Sequence, residues 1–200
     1  MKPINKSIRV FAPASSANLG CGFDVMGMAL DGIGDVLRIA ISEGDGLTIR
    51  NTSAAELPKD IEKNVITPAV RAFMAAAGKK ACMEIVVEKK IRPGSGIGSS
   101  AASSAAAVFG LNELYGRPFP LPELVPFAME GEKLISGTAH ADNSAPAVMG
   151  GIVLIRGYQP LDMVRLPVPD SFCFSVIHPH IVVSTKAARD VLRKEIPMRE

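Results

Sequence analysis

Apolar and polar positions alternate at the start of the chain. In SIRVFAP, residues 7–13, every second side chain is apolar, which predicts a strand with one buried face. DVLRIAISE (35–43) and GLTIRNT (46–52) repeat the signal, and the EGDG between them predicts a hairpin turn. NVITPAVRAFMAAAG (64–78) changes to helical spacing and stops at Gly78, a C-cap glycine. CMEIVVEKKI (82–91) is a β-branched strand that runs into RPGSGIGSS, after which SSAASSAAAVFGLNELYG (99–116) reads as an alanine-rich helix. LPELVPFAMEGEKLISG (121–137) predicts a further helix, kinked or restarted at Pro126. GGIVLIRG, MVRLPV and FCFSVIHP (172–179) return to strand character.

Strands and helices mix without strict alternation, internal repeats or a low-complexity linker, so an α+β fold is expected over a doubly wound sheet. The last stretch, STKAARDVLRKEIPMRE, reads as the start of a helix near Ser184 and a polar stub, with no capping glycine or later strand. That ending predicts one complete domain, residues 1–160, and the beginning of a second, residues 161–200.

With 48% hydrophobic and 21% charged residues the chain can bury an ordinary core, and with only 5% aromatics alanine, valine and isoleucine must fill it. A net charge of +2, with no basic cluster interleaved with aromatics, speaks against nucleic acid and for a small molecule. There is no apolar run of membrane-spanning length and no signal-peptide core, so no membrane partner and a cytoplasmic location are expected. Cys21, Cys82 and Cys173, odd in number and far apart, read as reduced thiols.

The glycine loop carries the chemistry. Strand, glycine loop and helix in that order bring a helix N-terminus with its open N–H groups to the loop, an arrangement suited to an anion. Gly94, Gly96 and Gly98 allow close approach, and Ser99 and Ser100 add hydroxyls that can meet phosphate or Mg²⁺. Ser99 stands where a Walker loop needs lysine, and GxGxG is not the dinucleotide spacing GxGxxG; a plain turn before a helix is the alternative. In SSANLGCGFD, Asp24 could receive an ammonium and Asn18 a hydroxyl or amino-acid head group, or the stretch is a polar turn. Thr185 and Arg189 share a helical face, with a guanidinium able to grip a carboxylate; a cap and a surface arginine are the alternative. His140 reads as a hydrogen-bonded structural histidine in a polar turn, and His178 and His180 as part of a strand exit.

PGSGIGSSAAS resembles the nucleotide loop of the GHMP kinases, a family named for galactokinase, homoserine kinase, mevalonate kinase and phosphomevalonate kinase, with Ile97 where leucine is usual. PASSANLGCGFDVMGMAL (13–30) and GEKLISGTAHADNSAPAVMGG (131–151) are similar to segments of the homoserine kinase branch. The resemblance implies an α+β N-terminal domain like domain 2 of ribosomal protein S5, with a ferredoxin-like C-terminal domain largely missing here. It implies ATP held by Asn64, Pro93, Gly94, Ser95, Gly96, Ile97, Gly98, Ser99, Ser100 and Ala101, and Mg²⁺ held by Ser100 and Glu132. Glu130 and Lys133 fit a solvated helix face better than Glu132 does. L-homoserine is expected on Asn18, Asp24, Asp142, Asn143, Thr185 and Arg189, with Ser100, Glu132 and Asn143 as the catalytic set; Asp142 is not assigned as a base. The implied reaction is ATP-dependent phosphorylation of the homoserine hydroxyl in threonine biosynthesis. Another GHMP kinase acting on mevalonate or a sugar is a second reading, and an inactive nucleotide-binding module a third. The ending implies that the chain alone phosphorylates homoserine poorly and self-associates through an exposed apolar face, and a homodimer is left open.

Overall fold

The computed structural model describes residues 6–137, 139–177, 191–193 and 195. The elements run β1 (Ser7–Ala17), β2 (Met26–Ser42), β3 (Gly46–Asn51), a 3₁₀ turn (Ile61–Lys63), α1 (Ile66–Ala76), β4 (Cys82–Glu88), α2 (Ser99–Leu114), α3 (Leu121–Ser136), α4 (Ala141–Met149), β5 (Ile152–Tyr158) and β6 (Leu161–Leu166). The expected α+β class holds.

The sheet has six strands in the order β3-β4-β2-β5-β6, with β1 antiparallel to β2. Most neighbours are antiparallel, and β3 runs parallel to β4. β2 is the spine: Val36 to Ser42 pair with β4 while Met26 to Met28 pair with β5. Between Pro13↔Gly34 and Ser15↔Ala29, Ala14 alone on β1 faces four residues on β2, of which Leu30 stays in the core while Asp31, Gly32 and Ile33 bulge outward. Alternation is clear in β4, where Met83, Ile85 and Val87 are buried and their neighbours half-buried.

α2 and α4 lie on β1 and β2, and α1 and α3 pack behind α2. α2 is sandwiched between sheet and helices, so it is apolar nearly all round: Ala101, Ala102, Ala105, Ala106, Ala107, Val108, Leu111 and Leu114 are all buried. Behind it Phe73, Phe119 and Phe127 meet edge to face, with centroids 5.2–5.7 Å apart.

Several expectations are corrected. The EGDG turn is not a hairpin, because β4 lies between β2 and β3. Ser42 and Gly46 both pair with Cys82, so the turn steps over the first residue of β4, with Gly44 (φ +115°) and Gly46 (φ +154°) supplying backbone that side chains rarely adopt. β1 reaches Ala17 and β2 starts at Met26, so both are longer than their alternating cores. β4 stops at Glu88 rather than residue 91, for Asp35 takes the N–H groups of Lys90 and Ile91 out of the ladder. α3 continues through Pro126 as one helix and does not restart there. α4 follows His140 where no helix was assigned from the sequence, and residues 172–177 form no strand. The His178 and His180 reading and the helix near Ser184 lie outside the described residues.

Candidate active site

The glycine loop spans the gap between β4 and α2. Gly94, Gly96 and Gly98 have φ of +75°, +76° and +67°, a region side chains avoid. Gly98 caps α2, and its carbonyl accepts the Ala102 N–H at 2.9 Å. Helix geometry therefore leaves the N–H groups of Ser99, Ser100 and Ala101 without an intrahelical acceptor at the positive end of the helix dipole. The Ser99 hydroxyl donates to the Ile91 carbonyl at 3.2 Å. It closes the base of the loop, so the backbone N–H of Ser99, not its hydroxyl, is what an anion would meet.

The Ser100 side chain neighbours that of Glu132 on α3. Burial raises the Glu132 pKa and Asp142 adds to the rise, while the neighbouring Ser100 hydroxyl and His140 oppose it. Glu130, by contrast, is tied to Lys133 on the exposed side of the helix, as expected. Ser100 and Glu132 thus put two hard oxygen donors side by side beneath the loop, a set suited to Mg²⁺. Among the described residues no group of three or more His, Cys, Asp or Glu forms a metal cluster.

Ser15, fully buried near the end of β1, joins this end to the next. Its N–H donates to the Ile97 carbonyl at 3.2 Å, and its hydroxyl donates to Asn143 Oδ1 at 2.8 Å. A Cβ on Gly98 would lie 2.0 Å from Ser15 Oγ and 3.0 Å from Asn143 Oδ1, so loop, β1 and α4 converge at that point.

Asn143 and the buried Asp142 sit in the first turn of α4. Gly27 of β2 lets α4 this close, since a Cβ there would fall 1.7 Å from the Asp142 carbonyl. Pro146, four residues on, has no N–H to offer that carbonyl. Burial raises the Asp142 pKa first, and the Asp24 charge raises it further. Asn18 and Asp24 flank a compact loop and both adopt φ of +58°. The Asp24 N–H donates to Asn18 Oδ1 at 2.7 Å, so the Asn18 carbonyl closes the loop and its NH₂ is the group left for a ligand.

Tyr158, on β5, is a residue the sequence reading missed. Its hydroxyl donates to the Asp24 carbonyl at 2.7 Å and accepts the Ala141 N–H at 3.2 Å, tying the Asp24 loop to α4. Ser15 was missed as well, though the register break beside it is a local sign. His140 precedes α4 with Nδ1 buried, 3.7 Å from Asp24 Oδ2, and its ring edge meets Tyr158. Among the described residues that nitrogen makes no hydrogen bond. Asn64, 5% exposed, uses its side-chain oxygen to accept the Ile66 N–H at the start of α1. Thr185 and Arg189 lie outside the described residues.

Residues 64–151 match the family model described as GHMP kinases N terminal domain. The chain is 45% identical over 191 residues to a homoserine kinase of Natronomonas pharaonis, covering 96% of this chain and 62% of that protein. It is 43% identical over 207 residues to one of Chlorobium phaeovibrioides, covering 98% and 65%. The crystal structure of a homoserine kinase from Cytophaga hutchinsonii superposes with a TM-score of 0.88 at 43% identity, over 100% of this chain and 64% of that one. The chain thus spans just under two thirds of the relatives it matches. With the glycine loop at the head of a central alanine-rich helix, and α3 and α4 bringing their polar residues to it, the chain belongs to the GHMP kinases and carries their N-terminal domain.

Proposed function

We propose that the chain is the ATP-binding part of a homoserine kinase, which transfers the γ-phosphoryl group of ATP to the hydroxyl of L-homoserine and gives ADP and O-phospho-L-homoserine. The observation that carries this reading is the meeting of three elements at Ser15: the loop that ends at Gly98, the first turn of α4, and the end of β1 that leads to Asn18. An anion on the loop and an amino acid beside Asp24, Asp142 and Asn143 would be neighbours. Homologues named homoserine kinase at this identity favour homoserine over mevalonate or a sugar.

In this reading residues 93–101 wrap the phosphates, with N–H groups from Gly94 onward since Pro93 has none, and Asn64 lies at the nucleotide end. Ser100 and Glu132 would hold Mg²⁺, which neutralises charge on the phosphates; the remaining ligands would be phosphate oxygens and water. Asp24 and Asp142 put negative charge where the substrate ammonium would sit. Asn143, its oxygen held by Ser15, turns its NH₂ to the acceptor. Thr185 and Arg189 would complete the substrate site from residues 161–200. Transfer proceeds by positioning and charge neutralisation, and no side chain need act as base.

The test is a coupled ADP-release assay with homoserine, mevalonate and a sugar as acceptors, run on this chain and on one extended to the relatives' length. Homoserine-dependent release from the extended chain is the expected result. Glu132→Gln should lower kcat by at least about tenfold with little change in homoserine affinity, and Glu130→Gln should behave as wild type. Release with another acceptor, or damage from Glu130→Gln alone, overturns the assignment.

A further inference from the structure

Under the glycine loop lies a charge pair that the transfer itself does not use. Lys89, just past β4, is 7% exposed, and Asp35 of β2 is wholly buried. The Lys89 ammonium donates to Asp35 Oδ2, to the Ser99 carbonyl at 2.5 Å and to the Ser103 hydroxyl at 2.9 Å. The other Asp35 oxygen accepts the Lys90 and Ile91 N–H groups, each at 3.0 Å. One carboxylate–ammonium pair therefore grips the end of β4 before the loop and the first turn of α2 after it.

Stability alone does not explain the pair. Charges taken out of water lose hydration that their mutual attraction only partly returns, and an apolar pair of the same volume is often as stable. Burial pushes the Lys89 pKa down, against the pull of Asp35, as that cost requires. What an apolar pair could not do is reach both the Ser99 carbonyl and, through Asp35, the amides of Lys90 and Ile91.

We infer that Lys89 is a positioning residue for phosphate binding: by fastening the Ser99 carbonyl to Asp35, it sets the first turn of α2 against the end of β4, so that the loop's N–H groups converge on one point. The inference rests on the phosphate-loop reading above. Lys89 meets no phosphate itself, since its ammonium is engaged on the protein side of the loop.

The test separates holding the fold from aiming the loop. Lys89→Met alone strands a buried carboxylate and should lower Tm. In Lys89→Met/Asp35→Asn no charge remains buried: the amide oxygen keeps the Lys90 and Ile91 bonds, and the NH₂ faces the Ser103 hydroxyl, which lies 3.1 Å from Asp35 Oδ2. The double variant should regain near-wild-type Tm while its calorimetric Kd for MgATP stays about tenfold weaker. Amide exchange at Ala102 and Ser103 should also stay faster than in wild type. Recovery of Kd together with Tm overturns the inference and leaves the pair a structural one.

If the double variant does not fold, Ser103→Ala takes its place, since it removes one acceptor of the ammonium and one donor to Asp35 and keeps the pair. It should lower Tm, and a Kd weakened by about threefold, measured well below that Tm, is then expected; an unchanged Kd overturns the inference. Should the wild-type chain bind no nucleotide, the phosphate-loop reading falls. The clamp is then judged by exchange at Ala102 and Ser103, where no change in the variants overturns it.

Discussion

Gly94 and Gly98 share a left-handed backbone but not their surroundings. At Gly94 an added Cβ meets nothing within 4 Å, so Gly94→Ala should lose about 1–2 kcal/mol from the backbone alone. At Gly98 the same Cβ would press on Ser15 Oγ, which is already held by Asn143. Gly98→Ala should therefore cost more than about 2 kcal/mol in urea melts and weaken nucleotide and acceptor binding together. A loss at Gly98 no larger than at Gly94 would contradict the convergence described at Ser15. A second prediction concerns Asp142, whose folded-state pKa stands above that of an unfolded carboxyl. The native state then holds more protons across the window above the ordinary carboxylate range, and stability falls as pH rises through it. Asp142→Asn removes that penalty. It should melt above wild type at pH 7, with the gap closing toward about pH 4, and a gap that is constant with pH would refute the assignment.

Some elements were legible in the sequence and others were not, for reasons that can be given one by one. α2 could be read because its composition, its preceding glycines and the strand before it all agree. α4 could not, because Pro146 sits in its middle and Asp142 and Ser144 occupy buried positions, so neither period nor propensity marks it; packing on β2 holds it. The turn after β2 looked like a hairpin because its glycines are those of one, and only the pairing with Cys82, far along the chain, makes it a step over β4. The glycine loop of the candidate site was legible for the same reason as α2, whereas Ser15, Tyr158 and Lys89 carry no local signature and depend on contacts between distant segments. Gly27 gives the prediction at this scale. Gly27→Ala would drive a methyl into the Asp142 carbonyl, displace the start of α4, and cost about 3 kcal/mol or more in denaturant melts. Nucleotide binding at the α2 end should suffer less than acceptor binding, and the reverse order would show that α4 is not held as described.

For the whole molecule, exposed apolar side chains gather after β6: Phe172, Phe174, Val176 and Ile177, the two phenylalanine rings meeting edge to face at 4.8 Å. Such a group favours association. Sedimentation velocity should show this chain shifting to larger species with concentration, and Phe174→Ser/Ile177→Ser should reverse the shift; unchanged sedimentation of the double variant would clear this segment of the role. The β2–β5 pairing has a different consequence, one of timing. Met26 and Met28 find their partners only at Leu154 and Ile152, so the first half of the spine has one neighbour, β1, until the ribosome has added more than a hundred residues. At roughly 5–20 residues per second that is a wait on the order of 6–25 s, during which one edge of a long strand stays open in the nascent chain.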